Sequence, residues 1–270
     1  PVTRVWSADL LGAPSVRTRL LANSGVGFNH IDMAAAKTAG IAVTNTPGVL
    51  TDSTAEIAMT LLLNTARRAG EGERLVRSGQ WEGWHPTHML STQVTGKPLG
   101  IVGMGRIGLA FAQQAHYGFG MQVLYSARTP RSAETLQGLP ARYCPLSELL
   151  AESDFVSLPC PASPATHHLI NAQSLALMKP PAHLINTARG DVVNEAELVD
   201  ALQRGVIAGA GLDVYEAEPR VTEGLLELPN VVLLPHMGSG TTQTRVAMGE
   251  CALTNIQAFA AGQPLLNQVV

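Results

Sequence analysis

Short apolar runs alternate with helical spacing in the second half of the chain. The run 99–102 contains only apolar or small residues, which is typical of a buried strand, and apolar positions in 107–119 then recur at helical spacing. This alternation continues to the end of the chain and predicts an α/β protein with a doubly wound parallel sheet and right-handed crossovers. The further predicted strands are 121–125, 141–144, 154–158, 183–187, 207–213 and 231–234, and the helices between them are 147–151, 172–178 and 195–204.

The first half of the chain carries weaker periodic signals. Segment 15–22 predicts the tail of a helix that leads into a strand, and a second strand is predicted at 41–44. A long helix is predicted from Thr51, where several capping and acidic residues lie together. Helical spacing also predicts helices at 31–39, 71–77 and 241–261.

Three glycines lie at the junction between the first strand and the first helix of the alternating region, as Gly103-x-Gly105-x-x-Gly108. At this spacing Gly103 allows a tight turn, Gly105 lets a pyrophosphate approach the backbone, and Gly108 lets the helix pack closely on the strand. The helix N-terminus adds free N–H groups and a positive dipole end. The glycines, with a strand before them and a helix after them, predict a dinucleotide site.

Composition narrows the class of protein. The 270 residues are 46% hydrophobic and 14% charged, which fits one large or two ordinary folded domains. A net charge of −3 gives no indication of a nucleic-acid or membrane-surface partner, and no apolar run has membrane-spanning length. The three cysteines are too scattered for a disulfide framework or a metal site. We therefore expect a cytoplasmic protein without a secretion signal or a metal ion.

The residues after the second strand favour NADP over NAD. Folds that bind NAD usually place an acidic residue here, which holds the ribose hydroxyls. This chain instead has Ser126, Arg128 and Arg131, and no Asp or Glu occurs between Gly83 and Ala133. Arginines and a hydroxyl would attract the 2′-phosphate of NADP. We expect NADP(H) to be preferred, with NAD(H) as the second cofactor; the alternative is that both arginines are solvated loop charges.

Three polar residues follow predicted strands, where doubly wound sheets bind their ligands. They are Arg189, Glu218 and His236. A guanidinium can hold a planar carboxylate by two hydrogen bonds, and a histidine backed by a carboxylate can donate a proton near neutral pH. Each residue alone would more often be structural, but together they fit the reduction of a 2-oxo acid.

Two loops leave alternatives open. The glycine-containing loop 23–32 either exposes backbone N–H groups to a ligand or is an ordinary turn. The loop around Trp84 and His85 is either pinned by tryptophan packing or borders a pocket, which a neighbouring subunit could provide.

At these residues the sequence resembles the D-isomer-specific 2-hydroxyacid dehydrogenase family, and within it the glyoxylate/hydroxypyruvate reductases. The resemblance runs from about Leu20 to the end of the chain. The motifs that carry it are 23–32, 46–56, 103–108, 186–193, 211–219 and 235–239.

The resemblance implies a role for each matching residue. Arg189 would bind the substrate carboxylate, helped by backbone N–H groups of Val26 and Gly27, and Trp84 would border the substrate. His236 would protonate the carbonyl oxygen while Glu218 supports it. Residues that would contact the cofactor are Gly103, Gly105, Arg106, Ile107, Gly108, Ser126, Arg128, Arg131, Leu158, Pro159, Thr187, Ala188, Asp213 and Gly238, with Asp213 on the nicotinamide carboxamide.

The family also implies a division into two domains. Residues 1–49 and 239–270 would form a flavodoxin-like substrate domain, and 50–238 the Rossmann cofactor domain. Residues 1–19 match the family poorly, so we expect the substrate domain to be incomplete at its N-terminus. Members are usually homodimers joined through the cofactor domains.

Two other functions remain open from the sequence. One is a dehydrogenase for another D-2-hydroxy acid, of the D-lactate or phosphoglycerate type. The other is a nucleotide-sensing protein similar to the corepressors of the family, which would not need the three polar residues together.

Overall fold

The computed structural model describes residues 5–270, so residues 1–4 of the predicted substrate domain lie outside the described part. The chain divides into two compact units. The first ends at Ser53 and resumes at Ser239–Val270, and the second is Thr54–Gly238. The predicted boundary after residue 49 differs by four residues, because the first turn of the long helix belongs to the first unit. The functional names of the two domains remain predictions.

The described chain contains nine β-strands, each of three to five residues. They are β1 Leu20–Ala22, β2 Ala42–Thr44, β3 Pro98–Val102, β4 Gln122–Ser126, β5 Ala141–Tyr143, β6 Phe155–Ser157, β7 His183–Asn186, β8 Gly209–Leu212 and β9 Val231–Leu233.

Eleven α-helices occur in the same residues. They are α1 Ala8–Leu11, α2 Met33–Thr38, α3 Thr51–Arg67, α4 Ala69–Arg77, α5 Arg106–Phe119, α6 Ala133–Leu136, α7 Leu146–Glu152, α8 Ala172–Leu175, α9 Glu195–Gln203, α10 Glu223–Glu227 and α11 Thr242–Ala260.

The second unit is built on a seven-stranded sheet in the order β5-β4-β3-β6-β7-β8-β9, with every neighbouring pair parallel. This confirms the predicted doubly wound parallel sheet. The strand order reverses between β3 and β6, and ligands of such sheets bind beyond the carboxyl ends of the strands at this point. The glycine motif follows β3 directly, so it lies at this switch point.

Two apolar clusters pack the sheet of the second unit. One joins α3 and α5 to β3 and β4 through buried residues that include Leu61, Phe111 and Ile101. The other joins α7 and α9 to β6, β7 and β8 and includes Leu149 and Leu198. Strands β6, β7 and β8 are buried on both faces and therefore consist mainly of apolar or small residues. This is the pattern from which they were predicted.

The first unit has a two-stranded parallel sheet, β1 with β2, and a small core around Leu21, Ile31 and Val43. The prediction that 15–22 begins as a helix tail is wrong, because residues 15–19 are not helical and the short helix α1 ends before them. Gly12 caps that helix and Pro14 follows, which excludes its continuation.

The short helices of the second unit differ from the predicted ones in two respects. Segment 172–178 is helical only to Leu175, and residues 176–178 form turns and a bend. Helices α6 and α10, which have four and five residues, are not predicted by the sequence pattern. One or two turns carry too few apolar positions for a period to be recognised. No helix among residues 5–270 is long and apolar enough to cross a membrane.

A buried histidine should make the stability of the second unit depend on pH. The ring of His183 stacks on Phe155, with 5.2 Å between centroids, and the residue is 4% exposed. Burial lowers the pKa of His183 to about 4, although a backbone hydrogen bond at Pro181 and the charge of Asp154 oppose the shift. The unfolded chain therefore binds a proton below about pH 6.5 that the folded protein accepts only near pH 4.

We predict that the free energy of unfolding falls as the pH decreases from about 6.5 to 4, by up to about 3 kcal/mol from this group. Urea unfolding across this range should show that His183→Phe lacks this decrease in the free energy of unfolding. His85→Phe, at an exposed histidine, should retain the decrease. Identical pH slopes for the wild type and His183→Phe would contradict the assignment.

Candidate active site

The turn between β3 and α5 has the backbone that the glycine motif requires. Gly103 adopts φ +105°, and its N–H donates to Ser126 O at the end of β4 over 2.9 Å. A Cβ on Gly108 would lie 2.3 Å from Gly103 O, so only glycine allows α5 to approach the turn this closely. The turn is therefore tied to both β4 and α5.

The N-terminus of α5 offers space and donors to an anion. Gly105 is the N-cap, provides no side-chain cap, and has open space where a Cβ would lie. Arg106 is exposed beside it, and Ile107 is half-buried. The first N–H groups of a helix lack intrahelical partners and lie at the positive end of its dipole. The residues present therefore fit the pyrophosphate of a dinucleotide.

The two arginines after β4 differ in their surroundings. Arg128 is exposed and makes no hydrogen bond or ion pair within residues 5–270. Arg131 instead donates from Nε to Met104 O over 2.9 Å, and its own N–H donates to Tyr125 Oη over 2.8 Å. Arg131 thus fixes the glycine turn, a role that the sequence did not indicate.

His236 lies after β9 and pairs with Glu218. The distance from His236 Nδ1 to Glu218 Oε2 is 2.7 Å, and Tyr215 N–H donates to the other carboxylate oxygen over 3.0 Å. Burial would raise the pKa of Glu218, but the hydrogen bonds from His236 and Tyr215 and the charge of Arg189 lower it. An ionised carboxylate only accepts hydrogen bonds, so we assign a proton to Nδ1 of His236, and Nε2 is the ring atom left to face a ligand.

The backbone of His236 is left-handed, with φ +51°, which is uncommon for a residue other than glycine. The carboxylate of Asp213, 1% exposed, holds the next two residues in place. Its Oδ1 accepts from Met237 N–H over 2.7 Å and its Oδ2 from Gly238 N–H over 2.8 Å. Burial raises the pKa of Asp213, and these two hydrogen bonds oppose the shift. That Asp213 and Gly238 contact the cofactor remains a prediction.

Arg189 follows β7 in a turn organised by Asn186. Asn186 Nδ2 donates to Arg189 O over 2.9 Å, and its Oδ1 accepts from Ala188 N–H over 3.0 Å. Burial lowers the pKa of Arg189, while the charges of Glu218 and Asp191 raise it. The guanidinium remains a cation, since arginine does not lose its proton in proteins. A half-buried cation facing Glu218 is suited to an anionic ligand.

The other residues predicted to line the cofactor follow β6 and β7. Leu158 is buried, Pro159 is half-buried, and Thr187 and Ala188 are each less than a tenth exposed. Thr187 Oγ1 and Ser157 Oγ are buried without a hydrogen-bond partner in the described chain. Buried hydroxyls without partners are rare, so a polar ligand fits here. Ser157 was not among the predicted site residues, because a serine inside an apolar run gives no separate signal.

The loop of the first unit turns its carbonyl groups inward. Asn23 Nδ2 donates to Gly25 O and Gly27 O, and Asn45 Nδ2 donates to Val26 O, each over 3.0 Å. The N–H groups of Val26 and Gly27 donate to no acceptor among residues 5–270. These N–H groups could serve either a ligand loop or a turn, and that Val26 and Gly27 contact the substrate remains a prediction. No pattern in the sequence singles out Asn23 and Asn45, because their partners come together only in the folded loop.

The loop near Trp84 is exposed. Trp84 is 80% exposed and Trp81 is 51% exposed, so packing of these rings within the described chain does not pin the loop. His85 makes local contacts, a hydrogen bond between Nδ1 and Thr87 Oγ1 over 3.2 Å and an edge-to-face contact with the ring of His88. That Trp84 borders the substrate remains a prediction.

With this geometry in place, comparisons with known proteins define the class. The family described as "D-isomer specific 2-hydroxyacid dehydrogenase, NAD binding domain" matches residues 59–238. The chain therefore belongs to the D-isomer-specific 2-hydroxyacid dehydrogenases, a family of oxidoreductases, as its resemblance implied.

Three relatives refine this placement. The chain is similar to a glyoxylate reductase from Thermococcus onnurineus, 50% identical over 92% of this chain and 75% of the relative. It is 47% identical to a glyoxylate/hydroxypyruvate reductase B from Pectobacterium carotovorum, over 92% and 77% of the two chains. An NADPH-dependent glyoxylate/hydroxypyruvate reductase from Sinorhizobium meliloti, solved with NADP and malonate, is 42% identical with a TM-score of 0.86 over 93% and 77%.

We predict that Asp213→Asn destabilises the loop that carries His236. An amide has one acceptor, so the N–H of Met237 or Gly238 would face an NH₂ group and lose its partner. An unpaired buried donor costs about 1–3 kcal/mol. Urea unfolding should show this loss, and Asp52→Asn, in the exposed first turn of α3, should show little. Unchanged stability of Asp213→Asn would contradict the role of this carboxylate.

Proposed function

We propose that this chain reduces glyoxylate and hydroxypyruvate to the 2-hydroxy acids and prefers NADPH, with His236 as the proton donor. The observation that carries the proposal is the 2.7 Å contact between His236 Nδ1 and Glu218, in an oxidoreductase family whose compared relatives are glyoxylate and hydroxypyruvate reductases. A ligand-binding protein would have no need of a histidine polarised in this way.

The proposed chemistry follows from the chemical groups of the chain. Arg189 binds the substrate carboxylate through its guanidinium. His236 Nε2 donates its proton to the 2-oxo oxygen, and Glu218 stabilises the imidazolium from the Nδ1 side. When bound, the nicotinamide cofactor supplies the hydride. The turn 103–105 and the N-terminus of α5 would hold the phosphates of the cofactor.

The preference for NADPH rests on charge. No carboxylate lies between Gly83 and Ala133 to hold free ribose hydroxyls, and Arg128 is available to a phosphate. Because Arg131 is bound to Met104 O, we assign the discrimination mainly to Arg128. Arg131 would affect the binding of NADPH and NADH alike, because it holds the glycine turn in place.

The low positive charge of the loop in the first unit favours one class of substrate. Between Asn23 and Gly48 the single Lys or Arg is Lys37, which is exposed in the last turn of α2. Binding of a phosphorylated substrate would require more basic side chains in this loop. We therefore favour unphosphorylated 2-oxo acids over the phosphoglycerate type.

Two further attributes belong to the proposal. Helix α4 buries none of its residues, and Val76, Trp84 and Leu90 expose apolar surface on the second unit, which supports a homodimer formed through this unit. Cys144, Cys160 and Cys251 are free thiols, and the first two are buried, which fits a reducing cytoplasm.

Activity against a panel of 2-oxo acids with both cofactors tests the proposal. We expect oxidation of NADPH with glyoxylate and hydroxypyruvate, and slower turnover with pyruvate or phosphohydroxypyruvate. Binding of NADPH without turnover of any panel member would contradict the proposal and favour a nucleotide sensor.

We predict that His236→Asn lowers kcat by roughly 10²–10⁴-fold, the usual contribution of general acid catalysis. Asparagine tolerates the left-handed backbone at this position, so the variant removes the proton donor without adding strain. The Kd of NADPH, measured by fluorescence titration, should change little, and His116→Asn, near the C-terminal end of α5, should behave as wild type. A kcat near that of the wild type would exclude His236 as the proton donor.

We predict that Arg128→Ala raises the KM of NADPH by about tenfold or more and leaves that of NADH nearly unchanged, since a charge-assisted hydrogen bond is lost. Arg131→Ala should raise both KM values, because Met104 O loses its donor. Arg204→Ala serves as the control, since Arg204 lies at the C-terminal end of α9, away from the carboxyl ends of the strands. Equal efficiency of the wild type with both cofactors at low salt would contradict the preference.

A further inference from the structure

Two glutamates form a reciprocal pair beside the candidate site. Glu216 N–H donates to Glu195 Oε1 over 2.9 Å, and Glu195 N–H donates to Glu216 Oε2 over 3.0 Å. Glu195 is the first residue of α9, whose N–H groups need partners outside the helix. Glu216 belongs to the turn after β8. The pair therefore joins the start of a helix to a turn 21 residues further along the chain.

A histidine and a threonine extend this pair. His168 Nε2 lies 2.5 Å from Glu216 Oε1, and Thr222 Oγ1 donates to Glu195 Oε2. Glu195 is 2% exposed, so its carboxylate is held in the interior by these donors. The backbone of His168 is also left-handed, at φ +48°, and its N–H donates to Asp191 O over 2.8 Å. We call these four residues, His168, Glu195, Glu216 and Thr222, the carboxylate clasp.

The turn that the clasp holds also carries Glu218. Tyr215 N–H donates to Glu218 Oε1, and Glu216 N–H, the next along the chain, donates into the clasp. The position of Glu218 relative to His236 therefore depends on where the clasp fixes this turn.

The same turn fixes the residue after Arg189. A Cβ on Gly190 would lie 1.8 Å from Tyr215 C and 2.1 Å from Glu216 N, so the two backbones are in direct contact. Since Arg189 and Glu218 lie on segments that touch at this point, a displacement of the turn would move both.

We propose that the carboxylate clasp positions the groups of the active site by locking the turn of Glu218 against Gly190. Its members are positioning residues. The inference rests on the proposed function for its kinetic consequence, whereas its structural consequence, the geometry of the His236–Glu218 pair, can be measured without turnover.

Glu216→Ala and Glu216→Gln separate this role from simple stabilisation. Alanine removes the bonds to His168 and to Glu195 N–H. Glutamine retains both, because its oxygen accepts from Glu195 N–H and its NH₂ group can donate to Nε2 of His168 in the tautomer that carries its proton on Nδ1. Glu223→Ala, which removes an exposed carboxylate from α10, is the matched control.

Three quantities are measured for each variant: kcat with glyoxylate and NADPH, the Kd of NADPH, and the downfield proton resonance of His236 Nδ1–H, assigned by its loss in His236→Asn. The charged groups near His236 are Glu218, Asp213 and Arg189, and none of the substitutions alters them. Thermal unfolding reports whether each variant is folded.

We expect Glu216→Ala to lower kcat about tenfold, since a small misplacement of catalytic groups is costly. The Kd of NADPH should stay within about twofold, because none of the four clasp residues is among those predicted to contact the cofactor. The His236 resonance should move upfield or broaden. Glu216→Gln should restore kcat and the resonance, and Glu223→Ala should match the wild type.

An unchanged resonance and kcat in folded Glu216→Ala would overturn the inference. If Glu216→Ala does not fold, His168→Asn, which suits the left-handed backbone, is held to the same criteria. A wild type that turns over no 2-oxo acid would contradict the proposed function, and the response of the resonance would still decide whether the clasp positions the pair.

Discussion

The candidate active site depends on one buried carboxylate. Asp213, at the end of β8, accepts hydrogen bonds from Met237 N–H and Gly238 N–H and so holds the backbone just after His236. The left-handed conformation of His236 directs its Nδ1 to Glu218. Burying an anion is unfavourable, and the raised pKa of Asp213 reflects this cost. The two N–H donors offset it, and the outcome is a histidine held in one orientation.

The parallel sheet explains why these groups meet. Asp213, His236 and Arg189 follow the carboxyl ends of β8, β9 and β7, which are neighbours in the sheet. The glycine turn follows β3, at the point where the strand order reverses. Residues that are far apart in the chain therefore lie along one edge of the sheet. Substitutions in the short loops at this edge can change the chemistry of the site without altering the core.

Predictions from the sequence succeeded where the signal was local and failed where it was not. The strands after residue 98 show apolar runs, and the glycine motif lies where a strand meets a helix, so both were predictable. The bonds of Asn23, Asn45 and Arg131 join residues whose proximity exists only in the folded loops. The same is true of Glu195 and Glu216. Their residue types are ordinary at helix starts and turns, so the sequence gives no signal of their pairing.

The central claim is that His236 donates a proton while a hydride reaches the same carbonyl group. Single-turnover oxidation of NADPH by glyoxylate tests it most directly, with NADPH or its 4-deuterated form in H₂O and in D₂O. The account predicts that both the deuterated cofactor and D₂O slow the same first-order phase, and that the effect of D₂O is absent in His236→Asn. Oxidation that is insensitive to D₂O in the wild type, or equally sensitive in the variant, would contradict proton donation by His236.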